Sequence, residues 1–217
     1  VDRAAERAIV DAIAAARADD AILGEEGTDR VGTSGVRWVI DPLDGTASYV
    51  RGYPGYCSSI GVEIDGEATI GVTVDARGVR TEGVVGVGAV RDGRPVRPST
   101  RAELATSIVA TGFGYDPEER ARQARVATRI LPRVADIRRS GSAAFDLVAS
   151  ACGEVDAYYE VGLNPWDLCA GMAIVHAAGG ICRSIPQPEG GRLVVSAPRQ
   201  LFGPLLELLD GAGLTTG

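Results

Sequence analysis

Lysine is absent: all 22 basic residues of this 217-residue chain are arginine. Schiff-base and amine-nucleophile chemistry runs through a lysine amine, so aldolase-like and pyridoxal-dependent mechanisms are excluded. Positive charge is also in deficit. The formal net charge is −7 and the sequence pI is about 4.8, which gives no global attraction to nucleic acid or to an anionic membrane surface. No CxxC pair occurs among Cys57, Cys152, Cys169 and Cys182. No zinc site is indicated, and such wide spacing predicts reduced, mostly buried thiols. No apolar run approaches the roughly 18 residues of a membrane span, and the first residues lack a basic-then-apolar leader pattern. A soluble, cytoplasmic protein without a membrane partner is expected. Internal repeats and low-complexity linkers are missing as well.

What is present is an ordinary globular composition, 45% hydrophobic and 24% charged, enough for one large domain or two small ones with a sizeable core. One stretch stands out, Trp38-Val39-Ile40-Asp41-Pro42-Leu43-Asp44-Gly45-Thr46. An apolar run delivers two carboxylates three positions apart, followed by a glycine and a hydroxyl. Hard divalent cations take oxygen ligands, and Mg²⁺ commonly uses one or two carboxylates together with substrate phosphate oxygens. If Gly45 and Thr46 open a helix, their N–H groups point at an anion. Asp-Pro and Asp-Gly are also common turn dipeptides, so the stretch by itself is equally a turn.

Hydrophobic periodicity organises the rest. An amphipathic helix is predicted over Asp2 to Arg17, with Ile9, Val10 and Ile13 on its apolar side, and Ile22-Leu23 steps into Gly24-Glu25-Glu26-Gly27. Val36 to Ile40 reads as a buried strand that must turn at Pro42, because proline cannot continue a central strand. Alternation from Tyr56 to Arg91, broken at Asp65-Gly66 and ended at Asp92-Gly93, predicts an antiparallel meander. Ser107 to Ala110 is a further strand, and Pro117 to Val134 an arginine-rich helix with a solvated face. Beyond Ala135, strands and helices alternate. Strands are predicted at Ile137 to Arg139, Val155 to Tyr159, Ile181-Cys182 and Leu193 to Val195. Helices are predicted at Ser142 to Ala151, Asp167 to Ala178, and from Pro198 to Leu209. The expected division is an N-terminal α+β half, residues 1–135, carrying the meander and the acidic motif, and a C-terminal α/β half, residues 136–217. One cleft lies between them in a single catalytic unit. Asp167 follows a tryptophan at a helix N-terminus, where a carboxylate is also a capping group. His176, the one histidine, falls inside a helix and reads as structural.

Gly24-Glu25-Glu26, then Trp-Val-Ile-Asp-Pro-Leu-Asp-Gly-Thr, Gly141-Ser142-Ala143-Ala144, Asp156-Ala157-Tyr158-Tyr159-Glu160, Trp166-Asp167 and Ala177-Ala178-Gly179-Gly180 occur in this order. Together they resemble the inositol monophosphatase family over essentially the whole chain. The resemblance implies an α+β fold, the layered αβαβα sandwich of the sugar phosphatases (inositol monophosphatase and fructose-bisphosphatase type). It also implies a homodimer, dependence on Mg²⁺ (two or three ions, with Mn²⁺ as a possible substitute) and sensitivity to Li⁺. By the same resemblance Glu25, Asp41, Asp44 and Asp167 are metal carboxylates and Leu43 offers its backbone carbonyl. Gly45 and Thr46 form the phosphate turn, and Asp2 pairs with the Thr46 hydroxyl. Gly141 and Ala143 make backbone contacts near the sugar, and Glu160 accepts hydrogen bonds from inositol hydroxyls. The catalytic group is then Glu25, Thr46 and Asp2, while Asp44, Gly45, Thr46, Gly141, Ala143, Glu160 and Asp167 face the substrate. The family usually has one more helix and a mobile loop ahead of the position of Asp2, with a lysine near a third metal. Their absence here predicts a missing N-terminal segment and an incompletely filled third site. Ser48-Tyr49 and Arg51 depart from the family's frequent Asn-Phe and histidine, a change expected to touch packing or substrate.

The activity these assignments imply is hydrolysis of a phosphomonoester by an activated water, with inositol-1-phosphate as the expected substrate. Histidinol phosphate, fructose 1,6-bisphosphate, and NADP or 3′-phosphoadenosine phosphates are the alternatives within the fold. A non-catalytic regulatory or binding protein that keeps the fold is the alternative outside it. A small phosphorylated polyol is the expected partner, without direct nucleic acid binding.

Overall fold

A computed structural model describes residues 1–188 and 190–216. The chain opens with α1 (Asp2–Ala16), whose inward residues Ile9, Val10 and Ile13 meet Ile22, Trp38 and Ile40. Next come β1 (Ala21–Gly24), β2 (Asp29–Arg30), β3 (Val36–Asp44), the five-residue α2 (Thr46–Val50) and the expected meander. Its strands are β4 (Cys57–Ile64), β5 (Glu67–Asp75), β6 (Arg80–Val84), β7 (Gly88–Arg91) and β8 (Arg94–Pro95). The first sheet has the order β2-β1-β3-β4-β5-β6-β7-β8.

The second half supplies β9 (Ile108–Thr111), α3 (Pro117–Ile130), β10 (Asp136–Arg138), α4 (Ala143–Ala151) and β11 (Ala157–Val161). It closes with α5 (Pro165–Ala177), β12 (Ile181–Pro186), β13 (Arg192–Ala197) and α6 (Arg199–Gly211). The second sheet runs β10-β9-β11-β13-β12. Because β9 pairs in parallel with both β10 and β11, the sheets do not divide at residue 135. The second begins at β9.

Burial gives five layers. α1 covers one face of the first sheet, and α4 and α5 fill the space between the sheets. α3 and α6 cover the outer face of the second, over Val109, Tyr159, Leu193 and Val195. α5 is apolar all round, as a helix packed between two sheets must be, and Ala170, Ala173 and Ile174 are fully buried. Its depth is set by the first sheet. Gly61, Gly71 and Gly83 stand opposite one another on β4, β5 and β6. A Cβ added at Gly61 would lie 2.3 Å from Cys169 Sγ, and one at Gly71 would lie 2.2 Å from the Ala170 carbonyl oxygen. The bare row lets α5 sit directly on the strands, which fixes where its first turn, and so Asp167, meets β3.

Two sequence expectations change. Pro42 does not end the strand: β3 continues to Asp44 and absorbs the proline in a register shift against β4, the place where a strand tolerates a missing N–H. The helix expected over Pro117 to Val134 stops at Ile130 and tightens into a 3₁₀ turn, Leu131–Arg133, because Pro132 has no N–H to continue the ladder. The His176 imidazole sits against the Cys182 backbone, with Nε2 3.0 Å from its carbonyl oxygen and 3.3 Å from its nitrogen, a structural use.

Candidate metal centre and phosphate turn

Successive side chains on a strand alternate between faces, so residues three apart normally diverge. Asp41 and Asp44 do not. Asp41 is opposite Ser59 and Asp44 is opposite Cys57; Cys57 and Ser59, two apart on β4, share a face, and directly paired residues project together. The extra residue in β3 therefore brings both carboxylates to the face that α4 and α5 cover. Asp167 enters the same space from α5. One carboxylate oxygen of each of Asp41, Asp44 and Asp167 lies within 4.8 Å of the other two.

Each side chain is held by local backbone chemistry. Asp41 Oδ1 accepts the Leu43 N–H at 2.9 Å. Asp44 Oδ2 accepts the Ser142 hydroxyl at 2.8 Å and the Ala144 N–H at 2.7 Å, so the first turn of α4 holds it. Ser142 caps that helix, its oxygen also accepting the Phe145 N–H. Asp167 is the third residue of α5 rather than its cap; Asn164 is the cap, and its N–H donates to Asp167 Oδ2 at 2.7 Å. The capping and clustering roles coexist because a carboxylate has two oxygens.

The electrostatics are those of a cluster short of positive charge. Burial, followed by the charges of Asp44 and Glu25, pushes Asp41 up to about 10. Burial and the charge of Asp167 push Asp44 up to about 8, against the opposing hydrogen bonds from Ala144 and Ser142. Asp167 is raised by burial, and Glu25 is raised mainly by burial although its hydrogen bond to Asp41 opposes this. No arginine pairs with any of the four among the described residues. Repelling carboxylates in low dielectric favour either protons or a cation. An all-oxygen donor set without histidine or cysteine is that of a hard divalent ion, so the residues fit Mg²⁺ or Mn²⁺.

Glu25 joins from the turn after β1. It is the least buried of the four acids, in hydrogen-bond contact with Asp41, and within the field of Asp2. The turn is shaped by a residue the sequence reading passed over, Glu6. Its buried carboxylate accepts the Glu26 N–H at 2.9 Å, the Thr28 N–H at 3.3 Å and the Thr28 hydroxyl at 2.6 Å. A signal was available: Glu6 lies on the inward stripe 2, 6, 9, 13 of α1, where an acid demands a partner. The expected Asp2–Thr46 pair is not made. The Thr46 hydroxyl donates to the Leu43 carbonyl at 3.1 Å, which is closer along the chain and already fixed by β3. Asp2 is half-buried at the start of α1 and acts on Glu25 by charge.

Gly45 has φ +93° and precedes α2, a conformation open to glycine. A Cβ there would lie 2.7 Å from the Gly55 carbonyl oxygen. The Thr46 and Ala47 N–H groups, in the first helical turn, have no acceptor among the described residues, and both residues are exposed. On the second-sheet side Gly141 has φ +96°, next to Ser48 and Arg139, and Ala143 is buried at the start of α4. Glu160, on β11, accepts the Tyr158 hydroxyl at 2.8 Å, and burial raises it to about 7. Both sheets and the middle helices thus contribute acids to one region, with Asp41, Asp44 and Asp167 on the first sheet and α5 and Glu160 on the second.

A sequence model described as the inositol monophosphatase family matches residues 1–210. The chain is 45% identical over 184 residues to a Xylella fastidiosa protein named Nus factor SuhB, covering 83% of this chain and 66% of that protein. It is 42% identical over 209 residues to the inositol-1-monophosphatase SuhB of Mycobacterium tuberculosis, covering 91% of this chain and 72% of the relative. Among solved structures, the inositol monophosphatase from Anabaena superposes with a TM-score of 0.88 at 33% identity, covering 99% of this chain and 87% of that one.

Proposed function

The chain belongs to the inositol monophosphatase family, and from that premise we propose that it hydrolyses a phosphomonoester, inositol-1-phosphate, with the help of divalent metal. The observation that carries this reading is the convergence of Asp41, Asp44 and Asp167 within 4.8 Å without a cationic partner. These three, with Glu25 and the Leu43 carbonyl, would hold the metal; Leu43 can serve the Thr46 hydroxyl as well, because a carbonyl oxygen has two lone pairs. Bound Mg²⁺, in two or three ions, neutralises phosphate charge and lowers the pKa of water.

The chain's own groups supply the rest. Glu25, the least buried of the four acids and raised by burial and neighbouring acids, takes a proton from the attacking water as general base. The Asp2 charge helps hold that proton. The free N–H groups at Thr46 and Ala47, and the Gly45 turn before them, bind phosphate oxygens and favour charge that grows as phosphorus is attacked in line. Ser142 and Ala144 keep Asp44 in one orientation. Glu160 accepts hydrogen bonds from vicinal hydroxyls of the polyol, with Gly141 and Ala143 presenting backbone beside it. Homodimer formation and Li⁺ inhibition belong to the same proposal.

The test is phosphate release measured by malachite green, in Mg²⁺, across inositol-1-phosphate, histidinol phosphate, fructose 1,6-bisphosphate, NADP and 3′-phosphoadenosine 5′-phosphate. Preference for histidinol phosphate would overturn the substrate. A second reading, a binding role in a transcription complex, has one specific support: the Xylella relative's name, Nus factor SuhB. Asp44→Asn separates the two, because a cellular role that survives the loss of hydrolysis is not catalytic.

A further inference from the structure

Away from the carboxylates, α3 does not close onto the end of the chain. Between them is a cleft of about 340 Å³, within the range of about 300 to 1,000 Å³ typical of small-molecule sites. Its floor is apolar, formed by Val126 of α3, Val161 of β11 and Leu214 beyond α6. Its rim is cationic. Arg125 and Arg129 of α3 line it together, four apart and so on neighbouring positions of the helix. Arg129 gives one N–H to the Ala212 carbonyl at 3.1 Å, which fixes its guanidinium at the edge and leaves its other donors. The Arg125 side chain makes no hydrogen bond or ion pair among the described residues and is exposed. Among the described residues the acid lining the cleft is Glu119, at the opposite end of α3 from Arg129, and its Oε1 accepts the Gln123 amide.

The cleft is separate from the metal centre. Tyr159 and Val161 face the α3 and α6 layer, whereas Tyr158 and Glu160 alternate to the inner face of the same strand. The second sheet therefore stands between the cleft and the carboxylates Asp41, Asp44 and Asp167, while a small pocket that shares Gln123, Val126, Val161 and Leu214 with the cleft reaches Glu160 on β11.

We propose that this cleft is a binding site for a small amphipathic organic anion, a compound with an apolar body and a single carboxylate, sulfonate or phosphate. The apolar floor removes the body from water, and Arg125 and Arg129 receive the charged end with the paired N–H geometry that favours planar or tetrahedral oxyanions. A chain of net charge −7 repels anions over most of its surface, so a locally cationic rim over an apolar floor selects for the anionic end and its placement.

The experiment uses two fluorescent probes that differ by one group: 1-anilinonaphthalene-8-sulfonate, and N-phenyl-1-naphthylamine, which lacks the sulfonate. Both are titrated into the protein in EDTA, where no metal draws an anion to the carboxylates, so the outcome does not depend on the proposed hydrolysis. The sulfonate is expected to bind at one site per chain, at least about tenfold tighter than the neutral probe. Arg125→Glu should weaken the sulfonate about tenfold and leave the neutral probe unchanged, with Arg125→Gln intermediate. Arg7→Glu, an equal charge change on exposed α1, should leave both unchanged. Equal binding of the two probes, or equal losses in Arg125→Glu and Arg7→Glu, overturns the proposal. Capture of a single-stranded oligonucleotide in place of the sulfonate, lost in Arg125→Glu, overturns it in favour of a polyanion surface.

Discussion

Raising the pH of the metal-free protein should destabilise it, and divalent metal should reverse the effect. Asp41 is pushed up to about 10 and Asp44 up to about 8, whereas in the unfolded chain each returns to about 3.9. A group whose folded pKa is raised holds its proton in the folded state after the unfolded state has released it, so stability falls as pH rises between the two values. The window opens near pH 4, closes for Asp44 near about 8 and continues for Asp41. Within it each group has a limiting slope of about 1.4 kcal/mol per pH unit. Water entry and relaxation at a cluster beside the less buried Glu25 reduce the pair to about 1 kcal/mol per unit in all. From about pH 5.5 to about pH 7.5 that is about 2 kcal/mol, a fall in Tm of about 4–8 °C for a chain of this size. Glu160 and Asp146, raised by burial to about 7 and about 6, add in the same direction. The groups held low, Asp75 and Asp136, act below this window. Asp41→Asn keeps the acceptor for the Leu43 N–H and removes the charge, so it should lose about half of the slope. Differential scanning fluorimetry in EDTA, with and without millimolar Mg²⁺ or Mn²⁺, measures each quantity. A metal-free Tm that is flat or rises over this range, or that metal leaves unmoved at the upper pH, would refute the reasoning.

Three further outcomes follow from the same contacts. Ser142→Ala removes a hydroxyl that orients Asp44 and should weaken Mn²⁺ binding, read by calorimetry, by about 10–100-fold, with a loss of about 1 kcal/mol in urea unfolding because the same hydroxyl caps α4; an unchanged affinity would mean that the Ala144 N–H alone holds the carboxylate. Gly71→Ala drives a Cβ into the Ala170 carbonyl and should cost about 1–3 kcal/mol in urea unfolding, with loss of metal affinity because α5 carries Asp167. Glu6→Ala leaves the Glu26 and Thr28 donors without their acceptor and should cost about 1–3 kcal/mol, lowering kcat for phosphate release through Glu25 while KM changes little.

Local patterns carried the fold a long way. Alternation gave the meander, and the 3.6-residue period gave α1, α4 and α5 to within a few residues, because burial on one face writes itself into the order of apolar residues. The five-layer sandwich, by contrast, rested on the resemblance, since nothing in periodicity says which faces pack together. The acids of the candidate centre were also legible, but as a set of acids at element ends. Their convergence was not, nor were the partners of Glu6 and Ser142: the stripe of α1 marks Glu6 as an inward acid, but hydrogen bonds between residues 20 or 98 positions apart leave no mark in local sequence.

By itself, then, the sequence determined the chemistry available to this protein: no lysine, an acidic surface, and oxygen donors of the kind a hard cation takes. Only the tertiary structure decided how these are used. An extra residue in β3 turns Asp44 to the side of Asp41, a row of glycines admits α5 closely enough for Asp167 to join them, and the Thr46 hydroxyl takes the nearby Leu43 carbonyl over Asp2. Each depends on distances between elements, and a one-dimensional order of residues constrains such distances only once the layers are packed.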